Sequence, residues 1–314
     1  MNRREFGHTG IYLSPITFGS MRLAPDRVRL DLAVEMITRM AERGLTTFHS
    51  SHEYESYPFF CEVMQEFRSK KPSAEVVHIA KIAVPHFHDA TFTGSRLSTL
   101  IEDQLRALGT ERIDIVQWLV RHQPNEDEQR LTILAECQQA LTATWERLHG
   151  EGKVGVLTSF PYSVPFAREV LKLPLCEGLV TYLNALELDM VPFLDAMEKA
   201  GQGYVAIRPF HAGLITTENM GQSSCGSFGV ALCANRSNAQ MEKLVSTLRI
   251  LNVPEDTVTD FALQFPLLHP AVASVIVSVT SLNHADEVMD ASDRAIVDKE
   301  TFTKTINSLS PSLV

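Results

Sequence analysis

The segment GLTTFHSSHEYES, residues 44–56, passes from an apolar run into His49, Ser50, Ser51, His52, Glu53 and Tyr54. Imidazole and phenol are proton-transfer groups, and a strand end where apolar residues give way to titratable ones is a usual place for chemistry in α/β folds. Lys81 lies toward the end of a second strand-like run, in HIAKIAV. An ammonium buried at a strand terminus is costly without a partner, which marks it as a working group rather than a packing one. Arg208 closes a third run, YVAIRPF, where a guanidinium serves either a salt bridge or the clamping of an anion. His49, Tyr54, Lys81 and Arg208 together offer proton transfer and anion binding. The eleven histidines show neither HExxH nor Cys/His ligand spacing, so no metal site is expected.

Elements must bring these residues together, and the apolar periodicity supplies eight strands, at residues 14–19, 45–49, 76–82, 113–119, 154–159, 178–183, 204–208 and 273–278. Amphipathic stretches at 26–43, 95–108, 131–149, 191–200 and 254–268 are long enough to cross over to a parallel neighbour. Gly109 and Gly150 are expected to end helices in the left-handed conformation, and Pro254 with Glu255 and Asp256 to start one. The interval 210–253 contains ENMGQSSCGSFG, a Gly/Ser-rich piece that reads as a mobile surface loop of the kind that covers a site.

Composition narrows the partners. The chain has 314 residues, 45% hydrophobic and 21% charged, within the range of globular proteins. Its formal net charge of −10 opposes nucleic acid and anionic membrane, both of which demand a basic surface, and leaves a small-molecule substrate. The five cysteines are scattered without CxxC spacing, as reduced thiols are. The start MNRREFGHTGIYLSP lacks the apolar core of a leader, and no run reaches the roughly 18 apolar residues of a membrane span. These features predict a cytoplasmic protein. No composition break divides residues 1–314, so one domain is expected.

Eight alternations suit a barrel or a doubly wound sheet. The run REFGHTGIYLSPITFGSMR resembles the amino-terminal hairpin and first strand of the aldo-keto reductases. RGLTTFHSSHEYES, HIAKIAV, RIDIVQWL, GKVGVL, YVAIRPFHAGLIT and FALQFPLLHPAVASVIVSVTS continue the resemblance in order along the chain. It implies an α/β fold, a (β/α)8 TIM barrel with an N-terminal β-hairpin, and hydride transfer between NADP(H) and a carbonyl.

The resemblance also implies roles. Tyr54 corresponds to the proton-donating tyrosine and Lys81 to the lysine that lowers its pKa. The aspartate that holds that lysine falls at His49, and the substrate-orienting histidine of the fourth strand at Leu119. Lys81 then stays charged only if another group compensates its burial. His49, or His122 in LVRHQP, takes the orienting role. Gly19, Ser20 and Met21 match the turn beneath the nicotinamide, and Arg208, Pro209, Phe210, Gly213 and Leu214 the loop around the pyrophosphate. Thr280 and Glu287 match the adenosine side, although Thr280 stands where a cation usually meets the 2′-phosphate. Ile207 replaces the stacking aromatic, and Phe160–Pro161 the Ser-Asn pair that holds the carboxamide. The same barrel also suits a non-redox lyase or isomerase, or a catalytically silent binding protein.

Overall fold

The computed structural model describes residues 2–87, 89, 91–121, 126–217, 238–294 and 296–309. Strands β1 (Arg4–Glu5) and β2 (Tyr12–Leu13) form an antiparallel hairpin. Then follow β3 (Ile16–Gly19), β4 (Thr47–Ser51), β5 (Val77–Ala83), β6 (Ile113–Leu119), β7 (Val154–Ser159), β8 (Cys176–Tyr182), β9 (Gly203–Ile207) and β10 (Val272–Val277). These eight close into a parallel barrel in the order β10-β3-β4-β5-β6-β7-β8-β9. The barrel that the resemblance implied is the fold, and a doubly wound sheet is excluded by the pairing of β10 with β3.

Parallel neighbours require crossovers, and amphipathic helices supply them. Expected helices occur at Leu30–Glu42, Gly94–Leu108, Asp127–Gly150 and Val191–Ala200, while Pro254 precedes a short turn that leads into Val258–Leu267. Sequence periodicity missed Tyr57–Lys70, Val164–Val170, Asn238–Ile250, Leu282–Asp293 and Lys299–Leu309. Asn238–Ile250 occupies the later part of the interval 210–253, and the piece ENMGQSSCGSFG read as a surface loop lies outside the described residues. Gly109 caps its helix with φ +60° as expected. Gly150 is instead a helical residue, and the left-handed position falls at Gly152, φ +74°.

Alternation along each strand divides the core in two. Outward side chains such as Phe18, Phe48, Val116 and Trp118 pack beneath the helices. Inward ones, Val77, Ile79, Ile115, Val180, Val205 and Ile276, fill the barrel with Phe6 and Leu13 of the hairpin. Phe6 therefore plugs the amino-terminal end. Its ring fits because β8 and β9 begin near glycines: a Cβ at Gly178 would lie 2.8 Å from Phe6 Cζ and only 1.9 Å from the Gly203 carbonyl oxygen.

With this end sealed by packing, the opposite rim carries the polar groups. Gly178→Ala is expected to lower stability by about 3 kcal/mol through overpacking, read as a reduced urea midpoint. Gly150→Ala, with open space around it, is the neutral control.

Candidate active site

Strand β4 runs two residues beyond the expected end, to Ser51, so its inward parity continues through His49 and Ser51 toward Glu53 in the following turn. Lys81 occupies the matching height on β5, where it pairs with Ser51 in the strand register. Lys81 Nζ lies 3.2 Å from Glu53 Oε2 and 5.0 Å from the centre of the Tyr54 ring. Glu53 thus provides the carboxylate that the sequence seemed to have exchanged for His49.

The same carboxylate receives two further donors. Glu53 Oε1 meets His86 Nε2 at 3.0 Å and Arg121 Nη1 at 3.1 Å. Arg121 Nε donates to the Tyr162 hydroxyl at 3.0 Å, and its guanidinium stacks over Phe87. Lys81 and Glu53 are about one-tenth exposed. Burial lowers the pKa of Lys81, Glu53 raises it, and the charge of Arg121 lowers it, with a net downward shift. For Tyr54, burial followed by the negative charge of Glu53 pushes the phenol pKa up, with Arg121 opposing.

His49 lies one layer deeper. Gln117 Nε2 donates to the Val180 carbonyl at 2.6 Å, which turns Gln117 Oε1 toward His49 Nε2 at 2.8 Å. The imidazole is buried, and desolvation, with a contribution from Lys81, lowers its pKa to about 4 against the bond to Gln117. It is neutral at pH 7, and its ring centre stands 6.3 Å from that of Tyr54. His122 lies outside the described residues.

Across the mouth the lining changes character. Leu119 packs with Ala83, Phe160 and Ile207. Phe160 sets its ring edge-to-face with Tyr162 at 4.7 Å and Tyr182 at 5.1 Å. Arg208, φ +61°, extends its guanidinium over Tyr182 and bonds Glu187 at 3.3 Å. Glu187 also accepts from Asn184 and meets His211 Nδ1 at 3.1 Å. Despite burial, His211 and Arg208 hold the Glu187 pKa below its ordinary value. Arg208 therefore makes a salt bridge at the barrel end.

The positions assigned to a dinucleotide divide in the same way. Gly19 ends β3, and Ser20 and Met21 begin a 3-10 turn in which Ser20 Oγ is buried without a partner. Pro209, Phe210, Gly213 and Leu214 surround His211, whose Nε2 is likewise buried and unpartnered. Two orphaned polar atoms on this side fit a polar ligand. By contrast, Phe160 offers the carboxamide only an apolar ring, and no Lys or Arg occurs from residue 271 to 293 around Thr280 and Glu287. Asp195, Glu198 and His269 could gather about a metal, but Lys299 Nζ already meets both acids at 2.6 Å.

Glu53, Gln117, Arg121 and Tyr162 were not singled out in the sequence. The parity of His49, Ser51 and Glu53 was the available signal for the first; the others depend on neighbours distant in the chain.

The fold and this mouth define a class: a closed (β/α)8 barrel with titratable side chains gathered at the carboxyl ends of its strands. Residues 15–309 match the aldo/keto reductase family, and the chain belongs to it. Family and fold imply nicotinamide-dependent oxidoreduction of carbonyl compounds on a small-molecule substrate. Among solved structures, the chain is similar to the aldo-keto reductase AKR11C1 from Bacillus halodurans in its holo form. That match has 17% identity, 98% of this chain, 96% of the other, and a TM-score of 0.69. The apo form matches at 17% identity over the same shares, with a TM-score of 0.68. No curated protein matches the sequence. Among the described residues no helix is long and apolar enough to cross a membrane.

The buried histidines couple the fold to pH. His49 and His78, lowered to about 4 and about 3 by burial, bind protons more readily unfolded, where the pKa is 6.5. Stability is therefore complete above pH 6.5 and is lost as pH falls toward the folded values. His49→Gln is expected to remove a share on the order of 3 kcal/mol of that loss between pH 6.5 and 4, measured as the pH dependence of chemical unfolding.

Proposed function

We propose that this chain reduces the carbonyl of a small molecule with a nicotinamide dinucleotide, Tyr54 giving the proton and the Glu53–Lys81 pair supporting it. The observation that carries this reading is the 3.2 Å pair of Lys81 and Glu53 beside Tyr54 at the barrel mouth. Bound dinucleotide supplies the hydride. Burial and Glu53 keep the Tyr54 phenol protonated through the neutral range, the state that gives a proton to the developing alkoxide in carbonyl reduction. Arg121 counters that rise, and Lys81 over the ring stabilises negative charge as it forms on the phenol. Neutral His49, fixed by Gln117, supports the floor under Tyr54 and admits no competing charge.

Gly19, Ser20 and Met21 would bear on the nicotinamide half, and Arg208, Pro209, Phe210, Gly213 and Leu214 on the phosphates. Thr280 and Glu287 would face the adenosine. NADP(H) is the dinucleotide that the resemblance implies, while NADH lacks the 2′-phosphate for which residues 271–293 offer no Lys or Arg. A second reading, proton transfer without redox change by Tyr54 and Lys81, draws on Phe160 and Leu119, which present apolar surface where a carboxamide and a carbonyl would need polar groups. A cytoplasmic location accords with either chemistry.

Titration with NADH and NADPH by fluorescence quenching is expected to show saturable binding, on the order of −8 kcal/mol, with NADH at least as tight. Tyr54→Phe should reduce carbonyl turnover by about 10²–10⁴-fold at unchanged dinucleotide affinity. Binding of neither dinucleotide would remove the redox reading and favour the second one or a silent barrel. Glu53→Gln takes away the charge that raises the Lys81 pKa, so the alkaline limb of kcat/KM is expected to move to lower pH.

A further inference from the structure

Lys81, Arg121 and His86 converge on one carboxylate, that of Glu53. Lys81 and Arg121 share a single carboxylate in a setting where Lys81 is 12% and Arg121 21% exposed. Buried charge requires pairing, so among the described residues these two cations are short of one negative group. The Arg121 fork also has a free edge. Nε is engaged by Tyr162 and Nη1 by Glu53, while no hydrogen bond is formed by Nη2 among the described residues. Glu53, Tyr162 and Phe87 hold the guanidinium on three sides, which leaves Nη2 pre-oriented. Phe87 and Tyr162 expose more than a third of their surface at this rim.

We propose that the substrate is an anion, an oxo acid with an aromatic or apolar body, whose carboxylate is held by the Nη2 edge of Arg121 while its carbonyl faces Tyr54. Arg121 stands two residues beyond Leu119, so it takes over the orienting task that the fourth-strand position no longer performs. The carboxylate completes the pairing of the two cations, and the rings of Phe87 and Tyr162 cover the body of the substrate. A positively biased mouth on a chain of net charge −10 restricts the attraction of anions to this face. The assignment of the carbonyl rests on the reduction proposed above; that of the carboxylate does not.

The test is calorimetric titration of the protein, without dinucleotide, with phenylglyoxylate, with its neutral amide phenylglyoxylamide, and with ADP as a probe of the dinucleotide's pyrophosphate. Phenylglyoxylate is expected to bind about tenfold or more tightly than the amide. Arg121→Gln should abolish that preference and leave ADP unchanged, while Arg121→Lys, which keeps the charge and loses the fork, retains only part of it; unfolding midpoints check both variants. If Arg121→Gln does not fold, an undiminished preference in Arg121→Lys overturns the proposal. So do equal affinities for acid and amide, or a loss confined to ADP, which assigns the anion to the cofactor. Carboxylate preference with no turnover would remove the reduction and keep the anion site. Turnover of neutral aldehydes without the preference would do the reverse.

Discussion

Lys81, Arg121 and a histidine meet on the carboxylate of Glu53, and the layout of the mouth follows from keeping that carboxylate largely out of water. Lys81 lies where strand parity aims it inward, and burial there lowers its pKa while Glu53 opposes that shift. Arg121 reaches the same group from the end of β6 and ties it to Tyr162. The proton-transfer residue Tyr54 follows Glu53 directly in the chain, so the electrostatics of the tyrosine and of the lysine are adjusted by one side chain.

This centre is supported from below by a different principle. The amino-terminal half of the barrel interior is closed by aliphatic side chains and by Phe6, seated against Gly178 and Gly203. Above that layer, the His49–Gln117–Val180 chain spans from β4 across β6 to β8 with hydrogen bonds of 2.8 and 2.6 Å. It satisfies a buried imidazole without adding charge. Polar groups higher up are thereby confined to the open face, where a ligand can reach them.

The mouth is also divided laterally. Toward β4 and β5 it is ionic, with Glu53, Lys81 and Tyr54; toward β7 and β8 it is aromatic, with Phe160, Tyr162 and Tyr182 in edge-to-face contact. Arg121 and Arg208 stand at the two junctions, each bonded to a glutamate and stacked on a ring. Such an arrangement discriminates by shape on one side and by charge on the other.

The sequence by itself determined the eight strands, the hairpin ahead of them and the family, because period-two apolar runs and ordered motifs are local properties of the chain. It also determined Tyr54 and Lys81 as the residues to examine, through their places in the motifs that resemble the family. What took the place of the missing aspartate was decided only by the tertiary structure. His49 is the residue at that position by spacing, yet its ring points into the layer beneath and bonds Gln117, while Glu53, four residues on, reaches Lys81. Spacing along one strand cannot say which of two nearby side chains faces a lysine on the next; that depends on where β4 stops and on the register between β4 and β5. The role of Arg121 was hidden for the same reason, because its partners Glu53 and Tyr162 lie 68 and 41 residues away and meet it only when the barrel closes.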